Sequence, residues 1–127
     1  MLPNTHLSIS SEWVGEPVSL SAGRAVAQLK TRPEMIADER GLVHGGFTFG
    51  LADYAAMLAV NDPCVVLGSA EARFVAPVRI GDIMVATAEV VEESGKKRQV
   101  KCTVSTTQLV FEATFTCFVL PKHILES

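Results

Sequence analysis

The chain has 127 residues, 48% of them hydrophobic and 20% charged, with a formal net charge of −3 and a pI of about 5.6. That size and balance suit one domain with a buried core, residues 1–127, and provide no positive field by which bulk charge would hold nucleic acid. No apolar run approaches the roughly 18–20 residues of a membrane span, and the opening MLPNTHLSISSEW lacks the basic and then apolar pattern of an export signal. A cytoplasmic protein with no membrane partner is expected.

Residues 1–18 are mixed in character, with Trp13 and the punctuation Gly15-Glu16-Pro17, and predict a short helix or loop lying over the domain. Ser19 to Thr31 alternates small or apolar residues (Ala25, Ala27, Leu29) with others and predicts a strand. Pro33 interrupts it, since proline has no amide for a central ladder, so PEMIADERGLVHGG reads as a connecting loop. From Phe47 to Val60 the residues are almost wholly apolar or small, which predicts a helix ending near Asn61-Asp62-Pro63.

Four strands are expected after the helix. They are CVVLGSAEARFVAP, then IMVATAEVVEE after the Gly81-Asp82 turn, KRQVKCTVST after a hairpin at Ser94–Lys96, and LVFEATFTCFVL. Short turns make neighbours antiparallel. A helix apolar on every face must be buried nearly all round, and a strongly curved antiparallel sheet wrapped about it satisfies that. The widely spaced Cys64, Cys102 and Cys117 form no zinc-type pattern with His6, His44 and His123 and read as small core residues.

Within this helix stands one carboxylate, Asp53. A buried, unpaired carboxylate is costly enough to shift its pKa or find partners, so Asp53 is either a functional acid or one that lies on a narrow exposed stripe or accepts hydrogen bonds within the core. Directly before the helix stand His44, Gly45 and Gly46. Paired glycines let a ligand approach main-chain amides, and the first-turn amides of a helix are unpaired and carry the positive end of its dipole, which suits a developing oxyanion. Asp53 lies more than about 10 Å further along a helix that rises ~1.5 Å per residue. One chain hardly brings both to one carbonyl, whereas a two-fold dimer with antiparallel central helices does.

The stretch HGGFTFGLADYAAMLAVN resembles the HGG and LAD signature of hotdog-fold acyl-CoA thioesterases, especially the branch similar to the phenylacetate-pathway thioesterase, and ARFVAPVRIGD continues the likeness. The resemblance implies an α+β hotdog fold, a long buried helix wrapped by a curved antiparallel sheet of five to six strands, assembled as a homodimer or homotetramer. It implies hydrolysis of an acyl-CoA substrate without metal or redox cofactor, CoA being part of the substrate. The Gly45 or Gly46 amide would polarise the thioester carbonyl, His44 would orient the loop or substrate, and Asp53 would act as general base on water or as nucleophile.

Two positions depart from the resembled pattern: Asp38 stands where such enzymes often carry Asn or Gln, and Met57 where some carry a hydroxyl. If Asp38 reaches the site, like-charge repulsion would raise the pKa of Asp53. Phe47, Phe49 and Tyr54 either line an acyl pocket or belong to the core. Lys96, Lys97 and Arg98 form a basic hairpin that would meet CoA phosphates or simply keep an edge solvated. Arg73 shares a face with Glu71 and suits a cross-strand pair. Two other readings stand beside hydrolysis: a non-catalytic acyl-CoA-binding module of the same fold, and an acyl-thioester dehydratase, which would need its acid and base in a different order and spacing.

Overall fold

A computed structural model describes residues 1–126. The elements are β1 (Glu16–Ser21), β2 (Arg24–Lys30), a one-turn 3-10 helix (Pro33–Met35), α1 (Gly45–Val60), β3 (Val65–Phe74), β4 (Ile83–Ser94), β5 (Lys97–Ser105), β6 (Leu109–Val119) and a final 3-10 turn (Ile124–Glu126). The strands form one antiparallel six-stranded sheet in the order β1-β2-β4-β5-β6-β3. α1 lies against one face of it, the hotdog arrangement the sequence predicts.

Alternation in the strands decides which face the helix covers. Ala25, Ala27 and Leu29 of β2, Met84, Ala86 and Ala88 of β4, Val100, Cys102 and Val104 of β5, and Phe111, Phe115 and Cys117 of β6 are all buried beneath it. Their sequence neighbours, such as Lys101, Thr103, Glu112 and Thr114, line the opposite face, as suits an antiparallel sheet with one solvated side. The alanines of β2 and β4 meet the buried Ala52, Ala55, Ala56 and Ala59 of α1, so sheet and helix backbones lie close. Leu51, Met57 and Leu58 fill the remaining volume.

Three expectations change. Ser19 to Thr31 is a hairpin, not one strand: Gly23, at φ +74°, reverses the chain between β1 and β2, a backbone region open to glycine at little cost. The helix begins at Gly45, two residues before Phe47, with His44 as its N-cap residue. Finally, β3 does not pair with β4. Its partner is β6, with Val65 opposite Val119 and Phe74 opposite Phe111, because the segment after β3 crosses beneath the helix start instead of making a tight turn. There the Val43 amide donates to the Val78 carbonyl. The loop before the helix is likewise tied down, through the bridges Ile36–Val43 and Leu42–Arg79 and the buried Met35.

Of residues 1–18, read above as a short helix or loop, the last three belong to β1, and residues 1–15 lie along the helix. Trp13 packs on Phe47, His6 on Tyr54, and Leu2 and Asn4 bind Asn61. Phe47, Tyr54 and Asn61 are seven residues apart, so they share one stripe of α1. Asn61 closes the helix at φ 54°, its amide donating to the Met57 carbonyl, while its side chain accepts from the Asn4 amide at 2.7 Å and donates to the Leu2 carbonyl at 3.0 Å. Asn61→Gly keeps the left-handed cap but loses both side-chain bonds; Asn61→Ala loses the bonds and strains the cap. We expect urea unfolding to place Asn61→Ala about 1–2 kcal/mol below wild type, with Asn61→Gly recovering part of that.

Candidate functional site

The start of α1 is a frame of unpaired amides held by ring packing. The Phe47 amide donates to the His44 carbonyl, so the Gly45 and Gly46 amides precede the first intrahelical bond. Both glycines lie tight against a ring. A Cβ on Gly45 would come 3.0 Å from Cε1 of Phe74, and one on Gly46 would come 2.9 Å from Nε2 of His44. The exposed His44 ring therefore lies over Gly46, edge-on to Phe47 at 6.1 Å, while its own amide donates to the Met35 carbonyl.

Two turns on, Asp53 is partly buried, and its Oδ1 is enclosed without a hydrogen-bond partner. Burial pushes its carboxyl up from 3.8 to about 6. Asp38 plays no part in that shift: its Oδ1 accepts from the Arg40 and Leu42 amides and shapes the loop. The charge of Asp53 reaches the buried thiols of Cys102 and Cys117, which desolvation first and this charge second push up to about 12. Those thiols stay neutral and act as core packing, as their pattern predicts.

Gly46, Gly50 and Asp53 follow one another along a helix stripe that is not fully covered, and a Cβ on Gly50 would meet open space. Beside it runs β3, an edge strand. Register puts Ala70, Ala72 and Phe74 on the helix side of the sheet, opposite Phe115, Ala113 and Phe111, yet all three are exposed. Helix stripe and strand edge together form an uncovered strip. Seven residues part Gly46 from Asp53, about 10 Å along the axis, so the two stand apart in one chain.

The remaining predicted residues divide. Phe47 sits at the helix start between Trp13 and His44. Tyr54, 5% exposed, and Met57, 1% exposed, are packed inside. Lys96 and Lys97 are exposed, whereas Arg98 is engaged by Glu93 at 2.7 Å and by the Gly95 and Lys97 carbonyls. This hairpin borders the C-terminal end of α1, near Val60 and Asp62, away from Gly45. Arg73 pairs with Glu112 at 3.2 Å across strands. Sequence reasoning missed Phe74 and Thr48, which face a groove of about 360 Å³ beside Gly45. Phe74 was findable, since its alternation within β3 puts it on the helix side.

A profile described as the thioesterase superfamily matches residues 40–111. Among solved structures, the PH1136 protein of Pyrococcus horikoshii is 53% identical, with a TM-score of 0.95 over 98% of this chain and 99% of that one. A hypothetical thioesterase protein of Streptococcus pneumoniae solved with coenzyme A shares the fold at 20% identity and a TM-score of 0.77, over 85% of this chain and 87% of that one. A methylthioribose-1-phosphate isomerase of Aquifex aeolicus is 52% identical over 96 residues, which are 76% of this chain but 21% of that protein. A transcription factor FapR of Caldanaerobacter subterraneus is 29% identical over 70% of this chain and 45% of its own length. The chain thus spans about a fifth of the one relative and less than half of the other.

An ionised Asp53 with no partner is a cost to the fold. Because the folded carboxyl is held above its unfolded value, the folded state binds more protons between pH 4 and 6, and stability contributed by this group falls as pH rises through that window. Asp53→Asn removes the penalty. We expect it to match wild type below pH 4 and to be more stable by about 1–2 kcal/mol above pH 6, as read from denaturation at the two pH values.

Proposed function

The chain belongs to the thioesterase superfamily, and on that premise we propose that it hydrolyses an acyl-CoA thioester to the free acid and CoA, as a homo-oligomer whose sites lie between subunits. The observation that carries this reading is Asp53, partly buried with its Oδ1 enclosed and without a hydrogen-bond partner. Desolvated acids of this kind concentrate at functional sites, where the cost to the fold is offset by chemistry. The uncovered strip of helix stripe and β3 edge gives a second copy of this chain a surface to pair with. Antiparallel helices then set one subunit's helix start against the partner subunit's Asp53.

In that arrangement the thioester carbonyl oxygen accepts from the Gly45 or Gly46 amide, and the helix dipole favours the negative charge that develops there. Asp53 takes a proton from water as the water oxygen bonds to the carbonyl carbon, and the C–S bond breaks when the tetrahedral oxyanion collapses. The proton passes to the departing sulfur. If Asp53 attacks directly, an acyl-carboxylate intermediate forms and water then opens it. Either route needs Asp53 ionised, and a pKa of about 6 leaves it ionised at neutral pH yet more basic than an ordinary aspartate. His44 holds the loop over Gly46. The exposed Lys96 and Lys97 offer charge to CoA phosphates, and the reading includes no metal and no redox cofactor.

The FapR relative favours a second reading, a non-catalytic acyl-CoA-binding module, since a domain similar to this one occurs in a transcription factor. One assay separates the two readings. Thiol release from short-chain, medium-chain, phenylacetyl and benzoyl CoA is expected for wild type, with a loss of at least ~100-fold in Asp53→Asn. The value of kcat/KM should rise with pH about a midpoint near pH 6 and level off roughly a unit above it, with the same midpoint in Asp38→Asn. Binding of CoA esters without turnover by wild type would establish the second reading. Site sharing has its own test: dimers mixed from Asp53→Asn and Gly46→Val should regain activity through one intact site, and a site within one chain predicts no recovery.

A further inference from the structure

Resting on the hydrolase reading, we infer that the groove beside Gly45 takes the acyl group, that it selects a compact, uncharged acyl group, and that Phe74 is the residue that sets its size. The groove opens at the helix-start glycine whose amide is unpaired, so an acyl chain whose carbonyl oxygen meets that amide has this groove as its nearest apolar surface. Its walls are Val43, Phe74, Val75, Ala76, Val78 and Val110, among others, and no described residue lining it is charged. The one hydroxyl there, Thr48, is buried and already donates to Met84 Sδ at 3.3 Å.

Two selections follow from that lining. A second carboxylate at the far end of an acyl group would lose its water and find no cation or free donor in the groove, a penalty larger than apolar contacts return. Dicarboxylic acyl groups are therefore excluded. Length is set at Phe74, the bulkiest side chain lining the groove. Phe74 closes this space from the strand side. Its ring is 59% exposed, stands edge-on to the buried Phe111 with centroids 5.1 Å apart, and rests against the Cα side of Gly45. Anchored behind by Phe111 and standing on the β3 strip that faces the partner subunit in the proposed assembly, it is a wall whose removal lengthens the groove.

The test uses the full-length protein with saturated straight-chain acyl-CoAs of four and twelve carbons and succinyl-CoA. Wild type should hydrolyse butyryl-CoA at least ~100-fold faster in kcat/KM than succinyl-CoA, whose acyl group has the same number of carbons but a terminal carboxylate. Phe74→Ala should move the ratio of kcat/KM for the twelve-carbon over the four-carbon ester by about tenfold in favour of the longer. Phe74→Leu, which keeps the apolar volume if the alanine variant does not fold, should move it less and in the same direction. A residue that only supported the fold would lower both rates together and leave the ratio alone. An unchanged ratio in both folded variants, or succinyl-CoA as the better substrate, overturns the inference while Asp53-dependent turnover keeps the hydrolase reading standing. No turnover of any ester by wild type would instead remove the hydrolase reading and this inference with it.

Discussion

The architecture depends on one constraint: α1 has no face suited to water, so every side of it must be covered. The sheet covers the broadest sector, through alanines on both partners that bring backbones close and a few large side chains that fill the rest. Residues 1–15 cover the stripe of Phe47, Tyr54 and Asn61. The stripe of Gly46, Gly50 and Asp53 remains, and glycines there reduce what is left bare while keeping the approach open for another backbone or a ligand. The proposed site is thus the place where covering is incomplete.

Asp53 and the helix-start glycines express the same exchange of stability for chemistry from opposite directions. A carboxylate enclosed without a partner holds a proton too strongly for an ordinary aspartate, and glycine inside a helix costs roughly 0.5–1 kcal/mol relative to alanine. Neither choice helps the fold. Each suits the proposed site, in which main-chain amides would meet developing negative charge and a desolvated acid would handle the proton. The rings of His44 and Phe74 resting on the two glycines convert flexible residues into a fixed frame.

Much of this was legible in the residues alone, and the failures have physical causes. Period-two alternation marked β4, β5 and β6 as strands, and the uniform apolarity of Phe47 to Val60 marked a central helix. Leu20 and Ala22 stand on even positions and Ala25, Ala27 and Leu29 on odd ones, so the change of phase at Gly23 was the signal of the reversal that a single-strand reading of Ser19 to Thr31 passed over. The partner of β3 was illegible because a segment that crosses the fold and one that turns tightly can carry the same proline and glycine signals. Asp53 stood out because a charge in an apolar helix violates the local pattern. Asp38 shows the converse, since only the structure reveals that its carboxylate is occupied by loop amides.

The position of β3 also orders the assembly of the molecule. β4, β5 and β6 are joined by short hairpins and form contacts local in sequence, whereas β3 must wait for β6, which is made only after the whole meander. Closing that loop costs chain entropy before any pairing returns it, so β3 is a late arrival in folding and an early departure in partial opening. Because Phe74 ends β3 and stands against Gly45, the groove beside the helix start is complete only once β3 has paired, and a chain that has packed helix on meander still lacks one wall of it.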